Sequence, residues 1–193
     1  MDELIYGVWK GRAYDNRRTI DGKAPEGLPL SEFLAFNSGN PVAGFAGPQG
    51  FLMFDNRVTL ADVLLSYYKR VRELACGRCT PCRAGGVMIV EALEAACEGR
   101  GSEVDWERIR DIALQMKETS LCGIGLTTPE PILGALEHFP ELLVNAPVMP
   151  ATQRDFISVA TAPCIEACPA KVNVPRYICL LYTSPSPRDL STS

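Results

Sequence analysis

Three cysteines stand at two-residue intervals in Cys76-Gly77-Arg78-Cys79-Thr80-Pro81-Cys82-Arg83, and a fourth, Cys122, lies in Ser120-Leu121-Cys122-Gly123-Ile124-Gly125. Three thiolates in one tight loop suit a cuboidal iron–sulfur cluster, because each can reach a different iron while the remaining iron is met by a thiol from elsewhere in the chain. Cys122 can play that part, since the glycines beside it let the backbone come close. Zinc usually takes its cysteines as two separated pairs, so a third thiolate in the same loop is less natural for a tetrahedral ion. The spacing therefore favours a [4Fe-4S] cluster on Cys76, Cys79, Cys82 and Cys122. The alternative is a zinc-stabilised helical interaction domain with no redox role.

The charges around the loop agree with an anion. A cubane held by four thiolates carries net negative charge and gains more on reduction, whereas residues 69–83 contain Lys69, Arg70, Arg72, Arg78 and Arg83 against one acid, Glu73. One cation about 6 Å from the cluster, at an effective dielectric near 20, contributes roughly 3 kcal/mol, on the order of 100 mV for one electron. Solvent screening lowers that figure. Arg78 and Arg83, inside the motif, are the candidates for tuning the potential, whereas Lys69 and Arg70 read equally well as solvating a helix face.

Helices are expected to position these residues. Thr59 and Asp62 form a capping-box start, with Asp in place of the usual Glu, and Leu60, Val63, Leu64, Tyr67, Tyr68 and Val71 recur at helical spacing. A second helix is expected to open at Thr80 as N-cap with Pro81 in the first helical position, and to end at Gly99 and Gly101. Its positive end would point at the anion. Asp105 caps a third helix from Trp106 to about Glu118, and Thr128-Pro129-Glu130 opens a fourth through about Phe139. The fold class expected is mainly α, a small four-helix iron–sulfur bundle preceded by a short Gly/Pro-rich segment with some β structure and followed by an irregular tail. In the leading segment, the clearest candidate for a buried strand is Phe51 to Phe54.

Composition bounds the rest. At 193 residues, 47% hydrophobic and 22% charged, the chain can bury a core without cross-links, so its eight cysteines are not needed as staples. Met1 to Arg18 has no unbroken apolar core, so no secretory signal is visible and a reducing, cytoplasmic setting is expected, where clustered thiols bind metal or do redox chemistry. A net charge of −4 favours neither nucleic acid nor an anionic membrane surface. The longest uncharged stretch, Phe33 to Phe54, has 22 residues but contains Asn37, Asn40, Pro41, Pro48 and four glycines, which excludes it as a membrane span. No GxGxxG or GxxxxGK[ST] loop is present, so no phosphate-cradling site is legible.

The remaining candidates read more blandly. Cys97 lies on the apolar side of the second helix and is expected to be a small hydrophobic residue. His138 is the only histidine, and with no base beside a nucleophile neither acid–base nor covalent catalysis is supported, so no catalytic residues are assigned. Trp9 and Trp106 are expected to be packing residues.

ACGRCTPCRAG followed by SLCGIG resembles the C-terminal iron–sulfur domain of the NADH-binding 51-kDa flavoprotein subunit of NADH:quinone oxidoreductase, complex I, and of the diaphorase subunits of NAD-linked hydrogenases and formate dehydrogenases. The resemblance covers about residues 44 to 143. It implies a four-helix domain with one [4Fe-4S] cluster that accepts electrons from FMN after FMN has taken hydride from NADH, and it gives Cys76, Cys79, Cys82 and Cys122 the ligand role. The family's FMN- and NADH-binding domain has no counterpart here, so FMN and NADH are expected on a missing domain or a partner, and the chain is not expected to be catalytically complete alone. The partners implied are a flavoprotein and other iron–sulfur subunits of an oxidoreductase complex.

A second patch, Cys164-x-x-x-Cys168-Pro169, matches the end of a ferredoxin run without its first two cysteines. Its surroundings are similar to the iron–sulfur region of glutamate synthase small subunits and dihydropyrimidine dehydrogenases. Cys164 and Cys168 are candidates for a second cluster, or else belong to a loop without metal. The last residues, rich in Ser, Thr and Pro, read as a disordered tail and also resemble translated sequencing-adapter DNA, which leads us to expect a fragment whose natural chain continues past about Ile178. The expected organisation is a Gly/Pro-rich segment over 1–57, akin to a remnant of a ubiquitin-like domain, a four-helix [4Fe-4S] domain over 58–147, a partial second iron–sulfur region over 148–178, and a disordered or artefactual tail over 179–193.

Overall fold

A computed structural model describes residues 4–17, 43–149 and 157–158. The second cysteine patch with Cys164 and Cys168, and the expected tail, lie outside the described residues. Four strands open the fold, β1 (Tyr6–Trp9), β2 (Arg12–Asp15), β3 (Gly44–Gly47) and β4 (Gly50–Met53), and a two-residue β5 (Ile157–Ser158) joins their sheet in the order β2-β1-β4-β3-β5. All pairings are antiparallel except β3 with β5. The central pair is in register with Tyr6 opposite Met53 and Val8 opposite Phe51.

Because side chains alternate across a strand, the two faces of this sheet carry different residues. Tyr6, Val8, Ala46, Phe51 and Met53 enter the main core with the helices, while Trp9, Phe45 and Leu52 join Leu4 and Tyr14 in a smaller cluster. Trp9 and Phe45 pack with ring centres 5.6 Å apart. Burial on both faces explains why the alternation expected of a half-exposed strand was not legible in Tyr6–Trp9. The FLMF strand is present, beginning one residue earlier at Gly50 and ending at Met53.

Among the described residues six helices follow, α1 (Leu60–Leu74), α2 (Thr80–Cys97), α3 (Trp106–Thr119), α4 (Gly123–Thr127), α5 (Glu130–His138) and α6 (Glu141–Val144), with a 3₁₀ turn at Gly101–Glu103. The described residues are thus mainly helical with a small sheet, and the short α4 and α6 add to the four helices expected. The capping box opens α1 as read. The Thr59 hydroxyl accepts from the Asp62 amide at 3.1 Å and donates to the Asp62 carboxylate at 2.8 Å, and that carboxylate also accepts from the Thr59 amide at 3.4 Å. Asp105 caps α3 by accepting from the Arg108 amide at 3.0 Å. The start of α2 differs from expectation by one residue: Cys79, not Thr80, is the N-cap, and Thr80 and Pro81 form the first turn.

Helix α1 packs on α2 and on β3, α2 packs on α3, and α5 bridges α3 to strands β1 and β4. Buried Tyr67, Tyr68, Leu64, Ile89, Leu93, Met116 and Ile132 fill the space between them. Tyr68 ties α1 to the start of α5, its phenol donating to the Thr128 carbonyl at 2.7 Å. Trp106 is a packing residue whose indole N–H donates to the Gly101 carbonyl at 2.8 Å. Cys97 is half-buried against the same core.

Candidate metal centre

The cysteine loop is what remains between the end of α1 and the start of α2. Ala75 ends α1 in an extended conformation, its amide still bonded to the Val71 carbonyl, and the chain then turns through Gly77 at φ +76°, a conformation that L side chains rarely adopt. Cys76 and Cys79 sit either side of that turn. From Cys79 the chain enters α2, so Cys82 falls in the first helical turn and the Arg83 amide returns to the Cys79 carbonyl at 2.9 Å. The free amides and the positive dipole end of an 18-residue helix therefore lie at the loop.

Cys122 reaches the same place from the other side. The buried Ser120 ends α3, and Cys122 is the residue before α4. Their neighbour Gly125 is in close contact with the first loop: a Cβ added there would stand 3.5 Å from the Cys82 Cβ and would overlap the Ser120 Oγ. Burial pushes the Cys82 thiol up to about 11, and the nearby Cys122, Cys79 and Cys76 thiols push in the same direction. The fold thus brings the α3–α4 connection that carries Cys122 against the helical turn that carries Cys82. Cys76, Cys79 and Cys82 are half-buried and Cys122 is exposed.

Among the described residues no three His, Cys, Asp or Glu side chains converge to hold a single metal ion. A cuboidal cluster makes a different demand, since each thiolate meets its own iron and the sulfurs must be neighbours without sharing one centre. Four thiols from these two segments are soft sulfur donors of the kind a cluster's irons take.

The basic residues near the loop divide into two groups. Lys69 is paired with Glu94 at 2.8 Å and Arg70 with Glu73 at 2.6 Å. Arg78 and Arg83 are exposed and have no carboxylate partner among the described residues. The Arg83 stem folds back over the loop, its Cδ 3.8 Å from where a Gly77 side chain would begin. Sequence reasoning set Arg78 and Arg83 apart from Lys69 and Arg70, but it could not name the Lys69 partner, which lies on a different helix. It also passed over Ser120, whose hydroxyl is buried without a hydrogen-bond partner. His138 lies in the last turn of α5, with Nε2 4.0 Å from Glu137.

A cysteine loop and a remote cysteine joined by a helical core are the arrangement of donors that an iron–sulfur cluster would need. Residues 62–146 match the NADH-ubiquinone oxidoreductase-F iron–sulfur binding region, in accord with the resemblance drawn from the cysteine motifs. The chain is 29% identical over 182 residues to the NADPH-Fe(3+) oxidoreductase subunit beta of Geobacter sulfurreducens, covering 92% of this chain and 26% of that protein. It is 27% identical to the NADP(+)-dependent formate dehydrogenase subunit beta of Moorella thermoacetica, covering 92% of this chain and 30% of the relative. The NAD-reducing hydrogenase HoxS subunit alpha of Cupriavidus necator is 32% identical over 111 residues, 54% of this chain and 18% of its own length. The chain thus spans less than a third of these curated relatives. Among solved structures, an NAD+-reducing [NiFe]-hydrogenase in the H2-reduced state aligns at a TM-score of 0.45 with 29% identity, over 55% of this chain and 18% of that one. Among the described residues no helix is long and apolar enough to cross a membrane.

Proposed function

We propose that Cys76, Cys79, Cys82 and Cys122 hold one [4Fe-4S] cluster, and that the chain relays electrons from an NADH-oxidising flavin partner to further iron–sulfur clusters of an oxidoreductase complex. The observation that supports this reading is the contact between the two cysteine-bearing segments, where a Cβ at Gly125, three residues after Cys122, would stand 3.5 Å from the Cys82 Cβ. When bound, a cluster of this kind takes up and gives back one electron at a time.

The chain's own residues supply position and field. The Gly77 turn sets Cys76 and Cys79 on one loop, the start of α2 carries Cys82, and the α3–α4 connection delivers Cys122. The dipole of α2 and the charges of Arg78 and Arg83 favour added negative charge, which makes reduction easier. Relatives named for NADPH, NADP(+) and NAD support a place beside nicotinamide chemistry. We assign FMN and NADH to a domain or partner outside this chain, and Cys164 and Cys168 to a second iron–sulfur region.

Anaerobic preparation tests the reading. Brown protein with about four irons per chain that bleaches on reduction is expected. Colourless protein holding one zinc ion would overturn it.

A further inference from the structure

Ser120, which shares the Gly125 contact with Cys82, carries a buried hydroxyl with no hydrogen-bond partner. The residue is 8% exposed. The Ser120 amide is used, bonding to the Met116 carbonyl at 3.2 Å to end α3, so backbone capping does not require the hydroxyl. A buried hydroxyl with no acceptor costs about 1–3 kcal/mol, and native structures rarely keep one without a reason.

Its surroundings indicate the reason. Gly125 lies against both Ser120 and Cys82: the missing Gly125 side chain would overlap Ser120 Oγ and begin 3.5 Å from Cys82 Cβ. Ser120 is also two residues before Cys122. The hydroxyl therefore stands among the groups that meet one ligand from the loop and one from the α3–α4 connection. Sulfur on a cluster is an anionic acceptor, and a hydroxyl donating to it makes a charge-assisted hydrogen bond.

We propose that the Ser120 hydroxyl donates a hydrogen bond to sulfur of the bound cluster, either a ligating thiolate or a bridging sulfide, and thereby raises its reduction potential. The donor favours the reduced form because that form carries more negative charge on sulfur. This rests on the ligand assignment above and adds to it a positioning and tuning residue that is not itself a ligand.

The test compares wild-type protein with Ser120→Ala, both anaerobically loaded with iron and sulfide. Iron content, the midpoint potential, and the exchangeable-proton couplings seen by electron–nuclear double resonance of the reduced cluster in H2O and D2O are measured. The expected result is unchanged iron, a more negative midpoint and the loss of one exchangeable coupling. Unchanged midpoint and couplings in an iron-replete Ser120→Ala protein would overturn the inference. Should Ser120→Ala fail to load, Ser120→Thr keeps the hydroxyl donor. Retention of the exchangeable coupling and of the wild-type midpoint in that variant upholds the inference, and absence of any such coupling in wild type overturns it. Wild-type protein that takes up no iron would instead sink the proposed function itself, so the two failures are distinct.

Discussion

Gly125 lies beside Cys82: a side chain added at 125 would begin in van der Waals contact, 3.5 Å from the Cys82 Cβ. This contact joins the α3–α4 connection to the first turn of α2, and so sets Cys122 beside the loop that carries the other three thiols. The same missing Cβ would overlap the Ser120 Cβ, an atom too close to the backbone to swing away. Gly125→Ala is expected to displace Ser120 and with it the connection that carries Cys122, at a cost of about 1–3 kcal/mol as for other overpacked sites. Iron content per chain after anaerobic loading should fall well below wild type, with a lowered denaturation midpoint. Full iron loading at wild-type stability would show that the contact does not set the site.

The division among the basic residues predicts which charges set the potential. Lys69 and Glu94 cancel one another as a pair, so removing both with Lys69→Met and Glu94→Leu should leave the midpoint close to wild type. Arg78→Gln or Arg83→Gln removes an uncompensated charge and should make the midpoint more negative, by up to about 100 mV and by less where water screens the side chain. Potentiometric titration at low and high salt checks both the sign and the screening.

Thiol reactivity in the iron-free protein should follow burial. The thiolate is the nucleophile. Cys122 is exposed, whereas burial and the other thiols hold the proton on Cys82 until about pH 11. At pH 8 iodoacetamide should label Cys122 first and Cys82 last, and the Cys82 rate should keep rising with pH beyond 9. The linked effect on folding has a definite sign. A thiol raised from 9.0 to about 11 in the folded state stabilises the iron-free fold below pH 9, and that contribution is lost as pH rises from 9 towards 11. Peptide mapping by mass spectrometry reads the labelling, and equal labelling of the two cysteines at pH 8 would contradict it.

The Thr59–Asp62 box closes the start of α1 inside the core, with Thr59 8% and Asp62 4% exposed. Thr59→Ala removes the hydroxyl from both of its hydrogen bonds and should cost about 1–2 kcal/mol. Since the box is remote from the cysteine loop in sequence and secondary structure, the denaturation midpoint should drop while the absorption spectrum of the loaded protein stays as in wild type.

Much of this was legible from local chemistry. The caps at Thr59 and Asp105, the proline at 81 and the apolar spacing between them mark three of the helices, because these signals act within one turn of the residues that carry them. Cys79 displaced Thr80 as the cap of α2 because the loop geometry, not cap propensity, decides where that helix begins. Strand β1 was hidden for a different reason: Tyr6–Trp9 is buried on both faces, so period-two alternation is lost. The Lys69–Glu94 pair and the orphaned Ser120 hydroxyl depend on contacts between separate helices, which no spacing along the chain encodes. The four cysteines were singled out from their spacing alone, and their ligand role is the proposal that the loaded protein tests.

The most direct test of the central claim is a crystal structure of anaerobically prepared protein with anomalous scattering recorded at the iron edge. The account predicts four iron positions, each bound by one sulfur from Cys76, Cys79, Cys82 or Cys122. A single metal peak shared by these cysteines, or a cluster bound without Cys122, would contradict it.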